Sequence, residues 1–479
     1  AARNVRQILS FQQWDETMTK KNWIRYVIAF LLMLVTLAGV SFFTWVLPTC
    51  HIGSGYVAKV VGSAVFTAGR SVDTARMQEV KFLDFVSVNV NPESKTVTAS
   101  VYGIGRQTAK FREGLGVSLS HNEPLIDIGP RPLTKAINKL EGHAWPQGNQ
   151  TELPGEAYDL SQLHTVLEQA FTEGNRQYPV YTRAVVVIHR GRLIAERYAD
   201  SFDENSRLAG WSMTKSLVNA LIGILVNQKK LRVHDQVNVS EWSNPSDPRH
   251  ELTVHNLLQM QSGLAFSEKY SEPLGDVTKM LFAQPDASRF AASKPLHYQI
   301  NTHWSYSSGT TNILCRMIRN IVGEKKYWTF PQEFLFNPTG MHSTIIEVDA
   351  SGTFVGSSFG WMTARDWARF GQLFLNKGVW NGSQLLPEGW IKYTTTPASK
   401  AKGRYGAHWW LNDPRGRFPN KQPLPDCPSD TYFASGFEGQ RLFIIPSRDA
   451  VVVRLGLTQQ RGAFDFNSFL KDILNSLPE

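Results

Sequence analysis

Several hydrophobic patterns succeed one another along this chain. Residues 26–47 (YVIAFLLMLVTLAGVSFFTWVL) form an uncharged apolar run of about 22 residues, enough to cross a bilayer with some tilt. Residues 85–90 and 97–101 alternate apolar and polar like two strands, joined by a turn at Asn91-Pro92-Glu93-Ser94. From about Leu160 the period changes to that of a helix over 160–171. A hairpin follows, 183–189 and 193–198, turning at Arg190-Gly191-Arg192. Residues 217–226 are apolar on every side, which places a helix there inside a domain. A loop-rich, mostly helical middle follows, in which Thr363-Ala364-Arg365-Asp366 reads as a capping box opening a helix over 367–375. Strands over 441–446 and 450–456 and a last helix over 464–477 close the chain. Strands at both ends around a helical middle predict an α/β (α+β) domain, one mixed or antiparallel sheet wrapped by helices, with a helical subdomain.

The apolar run divides the chain. Residues 1–22 are expected to be a cytosolic or interfacial segment, with Ile8, Phe11 and Trp14 at helical spacing. Residues 23–48 are expected to span a membrane, and 51–150 to form a membrane-proximal β-containing module ending in a linker at 144–150. Residues 155–479 form the main domain. Lys20, Lys21 and Arg25 precede the run and Trp23, Tyr26 and Trp45 suit its two interfaces. That asymmetry predicts the N-terminus in the cytosol and the main domain outside, at a bacterial inner membrane or a mitochondrial one. A cleavable signal peptide fits less well, because the run and its leader are long and no clean A-x-A follows.

Composition changes this picture little. Hydrophobic content of 42% and charged content of 19% indicate a globular chain. The net charge of +9 raises nucleic acid as a partner, but the basic residues are scattered and no aromatic–basic module is present; contact with membrane lipid accounts for it better. Of three cysteines, Cys315 and Cys427 either pair or stay as buried thiols. No zinc spacing and no HExxH occurs, so neither a metal nor a cofactor is expected.

The chemistry concentrates at Gly210-Trp211-Ser212-Met213-Thr214-Lys215-Ser216, the start of the all-apolar helix. Residues three apart share a helical face, so Ser212 Oγ and Lys215 Nζ fall within hydrogen-bond reach. A serine needs a neighbour to take its proton, and a lysine does so when burial pushes its pKa toward neutrality. Alone the tetrapeptide is weak, since about one serine in sixteen has a lysine three places on.

The order of pieces strengthens it. Ser212-Met213-Thr214-Lys215, then Tyr306-Ser307-Ser308, then Ala434-Ser435-Gly436-Phe437-Glu438-Gly439-Gln440 before a strand resembles the serine β-lactamase-like (penicillin-recognising) hydrolase superfamily. It looks closest to the class C β-lactamase, esterase and 6-aminohexanoate-dimer hydrolase branch. Supporting phrases are Ser262-Gly263-Leu264, Asn337-Pro338-Thr339-Gly340-Met341 and Thr363-Ala364-Arg365-Asp366, and the likeness covers about 160–479. The resemblance implies an acyl-Ser212 intermediate, with Lys215 and Tyr306 shuttling the proton, Tyr306 as phenol or phenolate. It implies an oxyanion site from the backbone N–H groups of Ser212 and Phe437. Ser308, Tyr270, Gly436 and Glu438 would face the substrate. Motif three departs from the pattern by lacking a lysine or histidine, and Glu438 is expected to repel a substrate carboxylate. Esters or amides with neutral or basic acyl groups therefore fit better than penicillins. A weakly active or inactive accessory subunit of a membrane protein complex is the rival reading. Cell-wall DD-peptidase or β-lactamase activity is a further one.

Overall fold

The computed structural model describes residues 2–121, 125–126, 128–129, 144–148, 150, 157–174, 177–414 and 422–479, residues 2–21 by backbone alone. The expected apolar face of Ile8, Phe11 and Trp14 lies outside the described side chains, as does Asn149 of the expected linker.

One helical path runs unbroken from α1 (Ala2–Ser41) through a π turn at Phe42–Val46 into α2 (Leu47–Gly62), and a short helix, α3 (Val72–Glu79), follows it. Its first part, from residue 22, is long and apolar enough to cross a membrane, and its side chains are bare: Trp23, Tyr26, Phe43 and Trp45 are each at least two-thirds exposed. Burial sets in at Ile52. The helix continues past 48 although 51–67 is rich in glycine and serine, a composition that argues against it. Those small residues serve close packing. A Cβ on Gly55 would stand 2.4 Å from the Phe282 carbonyl oxygen, and one on Gly62 would press Val117 at 3.1 Å.

α2 lies across an antiparallel meander, β1 (Val86–Asn91), β2 (Thr96–Val101), β3 (Ile104–Arg112) and β4 (Gly116–Leu119). β1 and β2 match the alternating segments; β3 and β4 did not show in the pattern. The other side of α2 meets the main domain. Tyr56 packs edge-on to Phe282, and Lys59 forms a buried ion pair with Glu347. Glu347 also takes hydrogen bonds from Ser63, Thr67, the Val117 N–H and the Trp361 indole. Ile52, Val57 and Val117 belong to the same continuous core as Val186 and Leu221. Residues of α2 and of the β1–β4 meander are therefore built into the main domain's core.

That domain centres on a six-stranded, wholly antiparallel sheet. β5 (Thr182–His189) and β6 (Arg192–Tyr198) open it; β10 (Trp410–Leu411), β11 (Tyr432–Gly436), β12 (Gln440–Ile445) and β13 (Ala450–Gly456) complete the order β10-β11-β12-β13-β5-β6. Alternation along each strand splits the core in two. Val185, Val187 and Val452 face α4 (Leu160–Phe171) and the last helix, Phe466–Asn475. Val186, Val451 and Val453 face the helical side, which includes α5 (Thr214–Asn227), buried at every position from Thr214 to Leu225. A small sheet of β7 (Leu208–Ala209), β9 (Gly360–Met362) and β8 (Ile345–Ile346) ties the start of α5 to the Glu347 region.

The expected linker is instead docked: Trp145 is buried, and Arg369 donates to the Pro146 and Gly148 carbonyls at 3.0 and 2.9 Å. Thr363 caps its helix by accepting from the Asp366 N–H at 3.1 Å, but Asp366 binds Ser343 rather than returning to Thr363. The three cysteines are free thiols.

Candidate active site

A single 3₁₀ turn, Trp211–Met213, leads into α5 and lifts Ser212 to its N-terminus. Two bonds to β9 hold that turn: Gly210 N–H to the Gly360 carbonyl at 2.8 Å, and Gly360 N–H to Thr214 Oγ1 at 2.9 Å. The i, i+3 spacing then does what helical geometry requires. Lys215 Nζ reaches Ser212 Oγ at 3.0 Å, Ser308 Oγ at 3.0 Å and the Ser357 carbonyl at 2.9 Å. Lys215 is 1% exposed, and burial, opposed by the Glu268 carboxylate, brings its pKa down to about 8. A fraction of it is thus a neutral amine near neutral pH, with a lone pair for the Ser212 proton.

Tyr306 closes the cluster. Its ring centroid lies 4.8 Å from Lys215 Nζ, and Ser212 stands close enough to its hydroxyl to pull the phenol's pKa down. The phenolate form does not fit this environment. Burial and then Glu268 raise the phenol well above its ordinary value, outweighing the opposing pull of Ser212 and Arg441. Tyr306 stands here as a neutral phenol, able to relay a proton.

Ser308 begins the helix α6 (Ser308–Val322), fully buried, where it accepts from Lys215. Its own hydroxyl donates to Glu268, and its N–H donates to the same carboxylate at 2.7 Å. Glu268 therefore stands directly behind the Lys215–Ser308 pair. In the sequence Glu268 lies only on the loop of Tyr270, and nothing local links it to Ser308, 40 positions on. His408 was missed. Buried and held neutral at a pKa of about 3, chiefly by burial, it bonds the Lys215 carbonyl at 2.9 Å through Nδ1 and braces the first turn of α5.

The third motif forms the opposite wall. Gly436 ends β11 against the nucleophile turn, and a Cβ there would stand 2.2 Å from the Gly210 carbonyl oxygen, so only glycine permits this approach. Phe437 meets Trp211 edge-on at 5.6 Å, and Tyr270 stacks on Phe437 at 5.8 Å from the cleft mouth. Tyr306 stacks on Trp410 at 5.5 Å and meets Tyr405 edge-on, which makes the rest of the wall aromatic. Glu438 does not join the cluster around Ser212. It is 6% exposed, and its carboxylate takes a hydrogen bond from Trp211 Nε1 and lies beside Arg183. A cation does stand near the wall: Arg441, on β12, donates to the Gly436 and Gln440 carbonyls and acts electrostatically on Tyr306.

The Beta-lactamase family model matches residues 167–468, well over half of the chain. The chain belongs to the beta-lactamase family. This family member, a β-lactamase-like serine hydrolase by class, is similar to a 6-aminohexanoate-dimer hydrolase from Paenarthrobacter ureafaciens, 22% identical over 344 residues, covering 67% of this chain and 81% of that one. Among solved structures it resembles a penicillin-binding protein homologue from Caulobacter crescentus (TM-score 0.53, 18% identity, covering 68% of this chain and 99% of the other). It also resembles a family VIII carboxylesterase (TM-score 0.53, 13% identity, 67% and 97%). At these identities the structural likenesses speak for the fold alone. The expected β-lactamase-like fold is therefore the observed one.

Proposed function

We propose that this chain is a membrane-anchored serine hydrolase that cleaves ester or amide bonds through an acyl-Ser212 intermediate. The observation that carries the reading is the buried Lys215 Nζ at 3.0 Å from Ser212 Oγ, its pKa brought down to about 8. Neutral Lys215 takes the Ser212 proton as Oγ bonds to the substrate carbonyl carbon. The carbonyl electron pair moves onto oxygen, where the Ser212 and Phe437 backbone N–H groups receive it. The tetrahedral species then collapses. Its carbon–heteroatom bond breaks, and the leaving alcohol or amine takes a proton from Tyr306, which Lys215 replenishes. Water repeats the sequence on the acyl-enzyme, and Ser212 regains its proton.

The absence of a lysine or histidine on motif three and the aromatic wall support esters or amides with neutral acyl groups. Glu438 no longer bears on this choice, because its carboxylate is turned to Trp211. The bare apolar helix beginning at residue 22, with basic residues before it, supports a single membrane span with the N-terminus in the cytosol and the hydrolase outside.

Turnover of short-chain p-nitrophenyl esters by the detergent-solubilised protein tests the enzymatic part. The expected result is saturable hydrolysis that Ser212→Ala abolishes; equal rates from the two folded proteins would reject it.

A further inference from the structure

Two residues flanking the proposed oxyanion donors share an unusual backbone state. Trp211, immediately before Ser212, has φ 47°, and Glu438, immediately after Phe437, has φ 60°. Neither is a glycine, and side chains of this size adopt left-handed backbone only where the surroundings over-determine it. The same two residues are joined by their side chains. Trp211 Nε1 donates to Glu438 Oε2 at 3.2 Å, and the residues are 8% and 6% exposed.

The contacts around this bond all act on one gap, that between the nucleophile turn and the end of β11. Gly436 sits against the Gly210 carbonyl, and Phe437 packs edge-on to the Trp211 ring. On the sheet side, Thr458 N–H donates to the Glu438 carbonyl at 2.9 Å. Gln440 Nε2 donates to the Phe437 carbonyl at 3.2 Å, and Arg454 donates to the Gly439 carbonyl at 3.0 Å. Glu438 is thus fixed to the sheet through its backbone and to the nucleophile turn through its side chain. The carboxylate lies with Arg183 of β5 and Tyr56 of α2 around it.

We propose that the Trp211–Glu438 hydrogen bond is a clamp that sets the spacing of the two oxyanion-site N–H groups, making Glu438 a positioning residue. The inference rests on the acyl-Ser212 reading. Substrate does not touch Glu438; it meets Ser212 and Phe437, whose N–H groups sit one residue from each end of the clamp. Both ends sit in conformations that relax once the side-chain bond is gone, so losing either partner lets the gap drift. An oxyanion exists only in the transition state and the tetrahedral intermediate, so the loss appears in kcat and leaves KM nearly unchanged.

The test is steady-state kinetics of the full-length protein in detergent with p-nitrophenyl butyrate. The proteins are wild type, Glu438→Gln, Glu438→Met, Trp211→Phe and the Trp211→Phe/Glu438→Met double variant, each checked for a thermal transition. Glu438→Met and Trp211→Phe are each expected to lower kcat about 10–100-fold, somewhat less than the loss of an oxyanion donor itself, with KM within about twofold. The double variant falls no further than the worse single one, because both remove the same bond. Glu438→Gln keeps an acceptor for the indole and stays within about threefold of wild type. Inhibition by phenylboronic acid, which forms a tetrahedral adduct, weakens in step with kcat. Undiminished kcat in Trp211→Phe, additive losses in the double variant, or a glutamine as damaging as methionine would overturn the clamp. Trp211→Phe decides the matter alone if Glu438→Met does not fold. A failure of the underlying reading shows separately, as wild-type turnover no greater than that of Ser212→Ala, and would remove the clamp's purpose with it.

Discussion

Two lysines are buried among the described residues, and they sit in opposite surroundings. Lys59 on α2 is 3% exposed and Lys215 on α5 is 1% exposed. Lys59 meets a carboxylate directly: its amine pairs with Glu347, donates to the Val117 carbonyl at 2.6 Å and to Ser63 Oγ at 3.3 Å, and lies 4.2 Å from the Phe359 ring centroid. Lys215 hydrogen-bonds two hydroxyls and one carbonyl and lies 4.8 Å from the Tyr306 ring centroid, with Glu268 held one residue away behind Ser308. A directly paired charge is a strut. One kept at a hydrogen bond's remove from its counter-ion can give up its proton. The two sites are also neighbours, since Glu347 adjoins β8, β8 pairs with β9, and β9 holds the turn that carries Ser212. The strut fixes α2 to the frame that carries Ser212 and Lys215.

Substituting each lysine with methionine, which keeps length and removes charge, breaks the comparison most sharply. Lys215→Met is expected to lower ester turnover by roughly 10³–10⁴-fold, the upper range for a general base. Its midpoint of urea unfolding moves less than that of Lys59→Met. Lys59→Met leaves the Glu347 carboxylate buried without its cation, which costs about 3–5 kcal/mol of stability by urea unfolding. Its turnover per folded molecule stays near wild type. A Lys59→Met protein that is stable but inactive would show that the two lysines do not divide the work as described.

A smaller effect sharpens the comparison. Glu268 is the group that holds the Lys215 pKa up against burial. With Lys215 as the proposed base, acting as a neutral amine, kcat/KM in the wild type is expected to rise with pH through about 8. Removing the carboxylate in Glu268→Gln lets burial act unopposed, and the rising limb moves to lower pH by on the order of one unit. A limb that stays in place or moves upward would show that Glu268 does not set the base.

The legible part of this site was the part written in local spacing. Ser212 and Lys215 share a helical face by arithmetic, and an all-apolar run after them marks a buried helix whose first turn opens into a cleft. Tyr306 and Ser308 were readable only through the resemblance, as the second motif following Ser212-Met213-Thr214-Lys215. The strands from 183 to 198 and from 441 to 456 were readable from short apolar runs and from the turns between them. What stayed hidden depends on contacts across sequence. Glu268 reaches Ser308 over 40 positions. Glu438 reads as a cleft residue in any extended register, and only its left-handed φ turns the side chain toward Trp211. Arg441 was read as an ordinary strand residue, although its guanidinium returns to the Gly436 carbonyl. The continuation of the N-terminal helix was masked by glycines and serines, whose smallness is the condition for α2 to pass between the β1–β4 sheet and Phe282. Of the two forms expected for Tyr306, phenol or phenolate, the burial and the Glu268 carboxylate that favour the phenol are likewise not written in the local sequence.

The most direct test of the account is intact-mass analysis of the folded, detergent-solubilised protein after exposure to a fluorophosphonate, at pH 6 and pH 8, beside Ser212→Ala. The account predicts a single phosphonyl adduct on the wild type, formed faster at pH 8 than at pH 6 as Lys215 loses its proton, and none on Ser212→Ala. A folded wild type that takes up no adduct, or an adduct that survives in Ser212→Ala, would contradict it.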